Sequence, residues 1–109
     1  MSFQIIIHRE AAVDFSAIYH YIEAQSPRAA IAWADAFRDA RDRVLKNPYA
    51  CGLIPERARM LVDYREYFFK TKRGRRYRVI FAIEAQTITI LYIRGPGQDY
   101  IYSKELRLP

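Results

Sequence analysis

The chain is expected to fold as an α+β protein of element order β-α-α-β-β-β, an antiparallel sheet with an N-terminal helical hairpin packed on one face. Three observations predict this. Apolar residues recur at three- and four-residue steps only between about residues 9 and 46, whereas the second half carries apolar or alternating runs of strand length. Pro27, Pro48, Gly74 and Gly95 stand between these segments and divide the chain into pieces of element size. With 109 residues, of which 51% are hydrophobic, residues 1–109 are expected to form a single domain with a modest core.

Phe3 to Ile7 is short and β-branched and reads as a largely buried strand. The segment from Met1 to His8 has no positive leader, so a strand is expected there and not a signal peptide. From Arg9 the period changes. Ala11, Phe15, Ile18, Tyr19 and Ile22 form one stripe of an amphipathic helix, expected to stop near Gln25. Ser26-Pro27 then restarts the chain, with Ser26 as N-cap and Pro27 at the first helical position. Ala30, Trp33, Phe37, Ala40 and Val44 line one side of the second helix. The opposite side sets Asp35 beside Arg38, Asp39 beside Arg43 and Asp42 beside Lys46. Such pairs contribute a few tenths of a kcal/mol each and mark a solvated face. Asn47-Pro48 ends this helix, and so short a connection implies an antiparallel helical hairpin.

Residues 48–61 read as a loop with one short turn. Three strands follow: Asp63 to about Lys72, Arg76 to Glu84, and Thr87 to Arg94. The breaks at Arg73-Gly74 and Ala85-Gln86 are hairpin-sized, so an antiparallel meander is expected. Gly95-Pro96-Gly97 is a turn, since no helical pattern follows it, and residues 98–109 form a tail with no element assigned.

The charge balance points to the kind of partner. Eighteen basic against twelve acidic residues give +6, which favours nucleic acid, a ribosome or an acidic protein. Cys51 is the only cysteine; an internal disulfide is therefore impossible, and a reducing cytoplasm is the expected location. Without cysteine pairs or grouped histidines no metal site is expected, and no cofactor motif is present. No segment reaches the ~20 apolar residues of a membrane helix, so no membrane partner is expected either.

The basic residues concentrate in one place. Lys70, Lys72, Arg73, Arg75, Arg76 and Arg78 lie within nine positions and run directly into Val79-Ile80-Phe81-Ala82-Ile83. By strand alternation, Tyr77, Val79, Phe81 and Ile83 share one face and are expected to meet Phe15, Trp33 and Phe37. Arg76, Arg78, Ile80 and Ala82 then share the other, at least partly open face. On the last strand Ile88, Ile90, Tyr92 and Arg94 form one set. Arg78, Arg94, Lys70 or Lys72 and a tyrosine are thus expected to converge in a shallow basic pocket. Such a pocket suits a phosphodiester, because arginine binds phosphate through paired hydrogen bonds and offsets charge developing at phosphorus. Lysine, tyrosine or glutamate can assist in deprotonating a 2′-hydroxyl. Lys72, Arg73, Arg75, Arg76 and Tyr92 are the candidate nucleic-acid-binding residues, the tyrosine by stacking on bases. Of the other tyrosines, Tyr100 and Tyr102 are kept as candidates, and Tyr19, Tyr64, Tyr67 and Tyr77 are assigned to packing. His8 and His20 lack a neighbouring nucleophile pattern and are assigned structural roles.

The segments Tyr77-Arg78-Val79-Ile80-Phe81-Ala82-Ile83 and Ile90-Leu91-Tyr92-Ile93-Arg94-Gly95-Pro96-Gly97-Gln98, with the hairpin around Tyr19 to Pro27 and Trp33, resemble the RelE/ParE superfamily of toxins, or plasmid stabilisation proteins. The resemblance covers nearly the whole chain and includes the element order. It implies the toxin of a two-component system, neutralised by a small cognate antitoxin, here expected to be acidic where it covers Lys70 to Arg78. RelE-like members cut messenger RNA on the ribosome without metal, and ParE-like members poison DNA gyrase without being nucleases. Carried onto this chain, the resemblance implies catalytic roles for Arg78 within Tyr77-Arg78-Val79, for Arg94, for Lys70 (or Lys72) and for Tyr102. The family's arginine after the last strand falls near Gln98, and a histidine of some relatives is absent, with Arg94 close to its place. Ribosome-dependent cleavage is the leading expectation, and gyrase inhibition the alternative.

Overall fold

In the computed structural model, which describes residues 2–56, 62–98, 100–102 and 106–109, the chain runs β1 (Gln4–Ile7), α1 (Arg9–Gln25), α2 (Pro27–Lys46), a 3-10 turn (Pro48–Ala50), β2 (Gly52–Leu53), β3 (Asp63–Phe69), β4 (Tyr77–Glu84) and β5 (Thr87–Arg94). The strands form one sheet in the order β1-β5-β4-β3-β2. The β3-β4-β5 meander is antiparallel as expected.

The helical hairpin follows from its junction residues. Ser26 closes α1 through its N–H on the Ile22 carbonyl (2.9 Å) and opens α2 by accepting the Ala29 N–H on Oγ (3.1 Å). His8 does the same for α1, its Nδ1 accepting the Glu10 N–H at 3.1 Å. The stripe Ala30, Trp33, Phe37, Ala40 and Val44 is buried throughout. Its Trp33, Phe37, Ala40 and Val44 pack with Phe15, Ile18 and Tyr19 of α1 against Tyr67, Phe69, Val79, Phe81, Ile83 and Ile93 of the sheet. On the solvated face Arg38 holds Asp35 at 2.6 Å, while Asp42 takes the neighbouring Arg41 at 3.1 Å. No helix among the described residues is long and apolar enough to cross a membrane.

Several expectations are corrected. The sheet is mixed, because β1 lies parallel to β5. Nor is β1 largely buried: it is an edge strand, with Ile6 51% and Ile7 43% exposed. Only one edge of β1 is paired, and Phe3 and Ile5 alone reach the core beneath the helices. The connection from β3 to β4 is longer than expected, β3 stopping at Phe69 and β4 starting at Tyr77, and within it the Gly74 N–H closes a turn on the Thr71 carbonyl (3.2 Å). The two-residue β2 was not foreseen, being too short to carry any periodicity. Part of the expected loop, residues 57–61, lies outside the described residues.

One further correction matters most for function. The sheet face away from the helices is not open. Ile54, Tyr64, Ile80, Ala82, Leu91, Tyr92 and Ile101 form a second core there, with Val62 and Leu106 packed against it. Segments on either side of the meander therefore lie across the face. Arg107 fastens the later one: its N–H donates to the Tyr92 hydroxyl (2.8 Å), its carbonyl accepts from the Tyr64 hydroxyl (2.9 Å), and its guanidinium binds Asp14 at 2.7 Å. A register shift opposite Ile80 and Phe81 reassigns β5 as well. Ile88 and Ile90 face the helices while Leu91 and Tyr92 both belong to the second core, so simple alternation of Ile88, Ile90, Tyr92 and Arg94 does not hold. A bulge leaves two residues opposite one and re-aims those beyond it.

Candidate functional site

Arg78 is the second residue of β4. Its strand partners are Phe68 on β3 and Arg94 on β5, which sets the three in one row across the sheet. The side chain lies on the face away from the helices, as alternation requires, but it is only 4% exposed. Its Nε donates to Glu66 Oε1 at 2.7 Å, and its two terminal nitrogens donate to Glu56 Oε1 and Oε2, each at 2.6 Å. This is a two-pronged arginine–carboxylate pair, the strongest form of such a contact. Glu56 Oε2 also accepts the Ile101 N–H at 2.8 Å.

The protonation states follow from these contacts. Burial alone would raise the Glu56 pKa, but hydrogen bonds from Arg78 and Ile101 and the Arg78 charge outweigh it and hold the carboxyl below its ordinary value. Burial likewise opposes the charge on Arg78, and Glu56 and Glu66 reverse that effect, holding its pKa above the ordinary value. Glu56 and Arg78 are therefore both held in their charged forms.

A pocket of about 180 Å³ opens above this cluster, lined by Pro55, Glu66, Phe68, Arg76, Arg78 and Tyr100. Its rim is different in kind. Exposed Arg76 lies over the Phe68 ring, 4.0 Å from its centroid, a cation–π contact. Tyr100 packs against Tyr102 with ring centroids 4.7 Å apart and ring planes inclined by 49°, and Tyr102 is 88% exposed.

The structure brings together some of the residues singled out by sequence. Arg76 and Arg78 share the pocket, Arg94 is the neighbour of Arg78 across the strands, and Tyr102 reaches the rim through Tyr100. Arg94 Nε donates to the Gln98 carbonyl at 2.5 Å and so braces the turn that closes on the Gly95 carbonyl. Gly97 takes φ +82° there, after Pro96, as a type II turn requires. Lys70, Lys72, Arg73 and Arg75 are exposed on the β3–β4 connection, Lys70 Nζ donating to the Lys72 carbonyl at 3.4 Å. Tyr92 stands apart: its ring is 5% exposed, covered by the Arg107 guanidinium at 4.2 Å. It sits in the second core and not on an open face.

Glu56 is the residue that sequence reasoning missed. It lies in an irregular connection where no periodicity marks it. One signal was available: an arginine set in an apolar strand requires a carboxylate partner when it is buried. A second concavity, about 410 Å³, lies between α1 and α2 and is lined by Phe15, Ser16, Tyr19, His20, Ile31, Ala34 and Arg38.

Chemically, a guanidinium already shared between two carboxylates is a poor receptor for phosphate, since an incoming anion meets a site whose charge is cancelled. The rim offers exposed cations beside aromatic rings. Comparison with known families gives a match over residues 5–100 to the one described as the ParE toxin of the type II toxin–antitoxin system, parDE. No curated protein and no solved structure matches the chain.

Proposed function

The chain belongs to the ParE toxin family of type II toxin–antitoxin systems, and we propose from that premise that it acts in the cytoplasm by binding DNA gyrase, as a protein inhibitor and not as a nuclease. A toxin of this kind has a cognate antitoxin as partner. The observation that carries the reading is the double carboxylate clamp on Arg78, formed by Glu56 and Glu66. Metal-free RNA cleavage needs an available cation to stabilise a five-coordinate phosphate, and the clamp withholds this one. A protein inhibitor needs instead a surface of aromatic and arginine side chains, which Phe68, Arg76, Tyr100 and Tyr102 supply. The cognate antitoxin, in this reading, lays an acidic segment along Lys70 to Arg78.

Ribosome-dependent RNA cleavage is the second reading, favoured by the adjacency of Arg78 and Arg94 across β4 and β5. In that case Arg78 and Arg94 bind phosphate, Lys70 and Tyr102 move the proton, and Lys72, Arg73 and Arg75 hold the RNA. The two readings part in one experiment. Purified toxin is added to gyrase with relaxed plasmid, and separately to translating ribosomes. Loss of supercoiling with intact message is the expected result. Cleaved message with unimpaired supercoiling would overturn the proposal in favour of the nuclease.

A further inference from the structure

We propose that Phe68, Arg76, Tyr100 and Tyr102 form the docking surface through which the toxin engages its target protein, and that the matching segment of the target presents a carboxylate beside an apolar side chain. The inference rests on the reading of the chain as a protein-binding inhibitor and names the surface it uses.

Exposed aromatic rings are the first observation. Tyr102 at 88%, Tyr100 at 42% and Phe68 at 37% exposure line one pocket or pack against a residue that lines it. Rings packed against each other in solvent contribute little to this fold's two cores, neither of which includes them. Tyrosine and arginine are also the side chains that most often dominate the binding energy of protein interfaces.

Charge selects the partner. Arg76 sits over the Phe68 ring, 4.0 Å from its centroid, and is exposed, so its guanidinium remains accessible to a carboxylate. Lys70, Lys72, Arg73 and Arg75 beside it extend the positive rim. The pocket itself carries Glu66, and its Arg78 is already clamped. A nucleic acid threading across the pocket would bring successive phosphates against that carboxylate, whereas a protein segment meets it with an apolar or hydrogen-bonding group. The surface is therefore matched to a single acidic side chain at the rim and an apolar one in the pocket.

Alignment of the rings depends on the clamp beneath them. Glu56 accepts both from Arg78 and from the Ile101 N–H, the residue between the two tyrosines. The buried ion pair thus fixes the backbone from which Tyr100 and Tyr102 project.

The test uses the full chain expressed without antitoxin, with Tyr102→Ala, the double change Tyr100→Ala/Tyr102→Ala, and Arg76→Glu. Growth arrest is scored in cells, half-inhibitory concentration in the supercoiling assay with gyrase holoenzyme, and fold by circular dichroism. Tyr102→Ala serves as the variant least able to disturb folding. Growth arrest should be lost in the double variant and in Arg76→Glu, and their half-inhibitory concentrations should rise at least tenfold, with melting unchanged. Full arrest by all three folded variants would overturn the docking surface. If wild-type toxin arrests growth without touching supercoiling, the gyrase reading fails, while the growth assay still decides the surface. Tight binding of a fluorescent single-stranded RNA that the double variant abolishes would overturn the assignment to a protein partner.

Discussion

Glu56 and Arg78 form a two-pronged ion pair with both contacts at 2.6 Å, in a place where the two side chains are 6% and 4% exposed. Twenty-two residues separate them in sequence, and the pair joins an irregular connection to the centre of the sheet. Isolated buried charges are costly, so the clamp is a commitment of the fold: remove one member and the others are left in apolar surroundings.

Glu56→Ala is therefore expected to destabilise the protein by about 3 kcal/mol, as removal of one partner of a buried pair does. Glu56→Gln, which keeps one acceptor for Arg78 or Ile101, should cost less. Urea denaturation of the three proteins checks the order. Equal midpoints for wild type and Glu56→Ala would show that Glu66 alone suffices to hold Arg78.

The same pair sets a pH dependence. Because the folded-state pKa of Glu56 lies below its ordinary value of 4.5, the folded protein binds this proton less readily than the unfolded chain. Its contribution to stability is fully present above that ordinary value and is lost as the pH falls through the lower, folded-state pKa. Melting temperature measured from pH 7 downward should fall below about pH 4.5 in the wild type, and less steeply in Glu56→Gln.

Tyr67 is buried against the helices with a hydroxyl that has no hydrogen-bond partner among the described residues. Burial first, partly offset by the charges of Arg41 and Arg43, raises its pKa far above the ordinary range. Deleting an unsatisfied buried hydroxyl removes a desolvation penalty, so Tyr67→Phe should raise stability by about 1 kcal/mol. A higher urea midpoint is the expected readout, and a lower one would mean that the hydroxyl is bonded in solution.

Ser26 serves two helices at once, closing α1 through its backbone and opening α2 through its side chain. Ser26→Ala removes only the second function and should cost about 1 kcal/mol. Ser26→Asp should retain most of the stability, because its carboxylate also accepts the Ala29 N–H and lies at the positive end of α2. Thermal melts of both variants test the pair of outcomes.

What the sequence by itself determined was whatever depends on neighbours along the chain. Helical spacing from Ala11 to Val44, the Ser26-Pro27 restart, the meander with its turns at Ala85-Gln86 and Gly95-Pro96-Gly97, and the meeting of Tyr77, Val79 and Phe81 with Trp33 and Phe37 all rest on local period and turn chemistry. The tertiary structure alone decided what lies on the second face. Ile101, Leu106 and Arg107 are too few to produce a periodic signal, yet they cover Ile80, Tyr92 and Leu91 once the sheet exists. The bulge at Leu91 has no mark in the residues themselves and reverses the facing of half a strand. Arg78 was legible as a position on the face of β4 away from the helices, but its burial and the cancelling of its charge were not. That charge is cancelled by Glu56, brought from a segment without period, and electrostatics in a buried site is set by distance in space and not by separation along the chain.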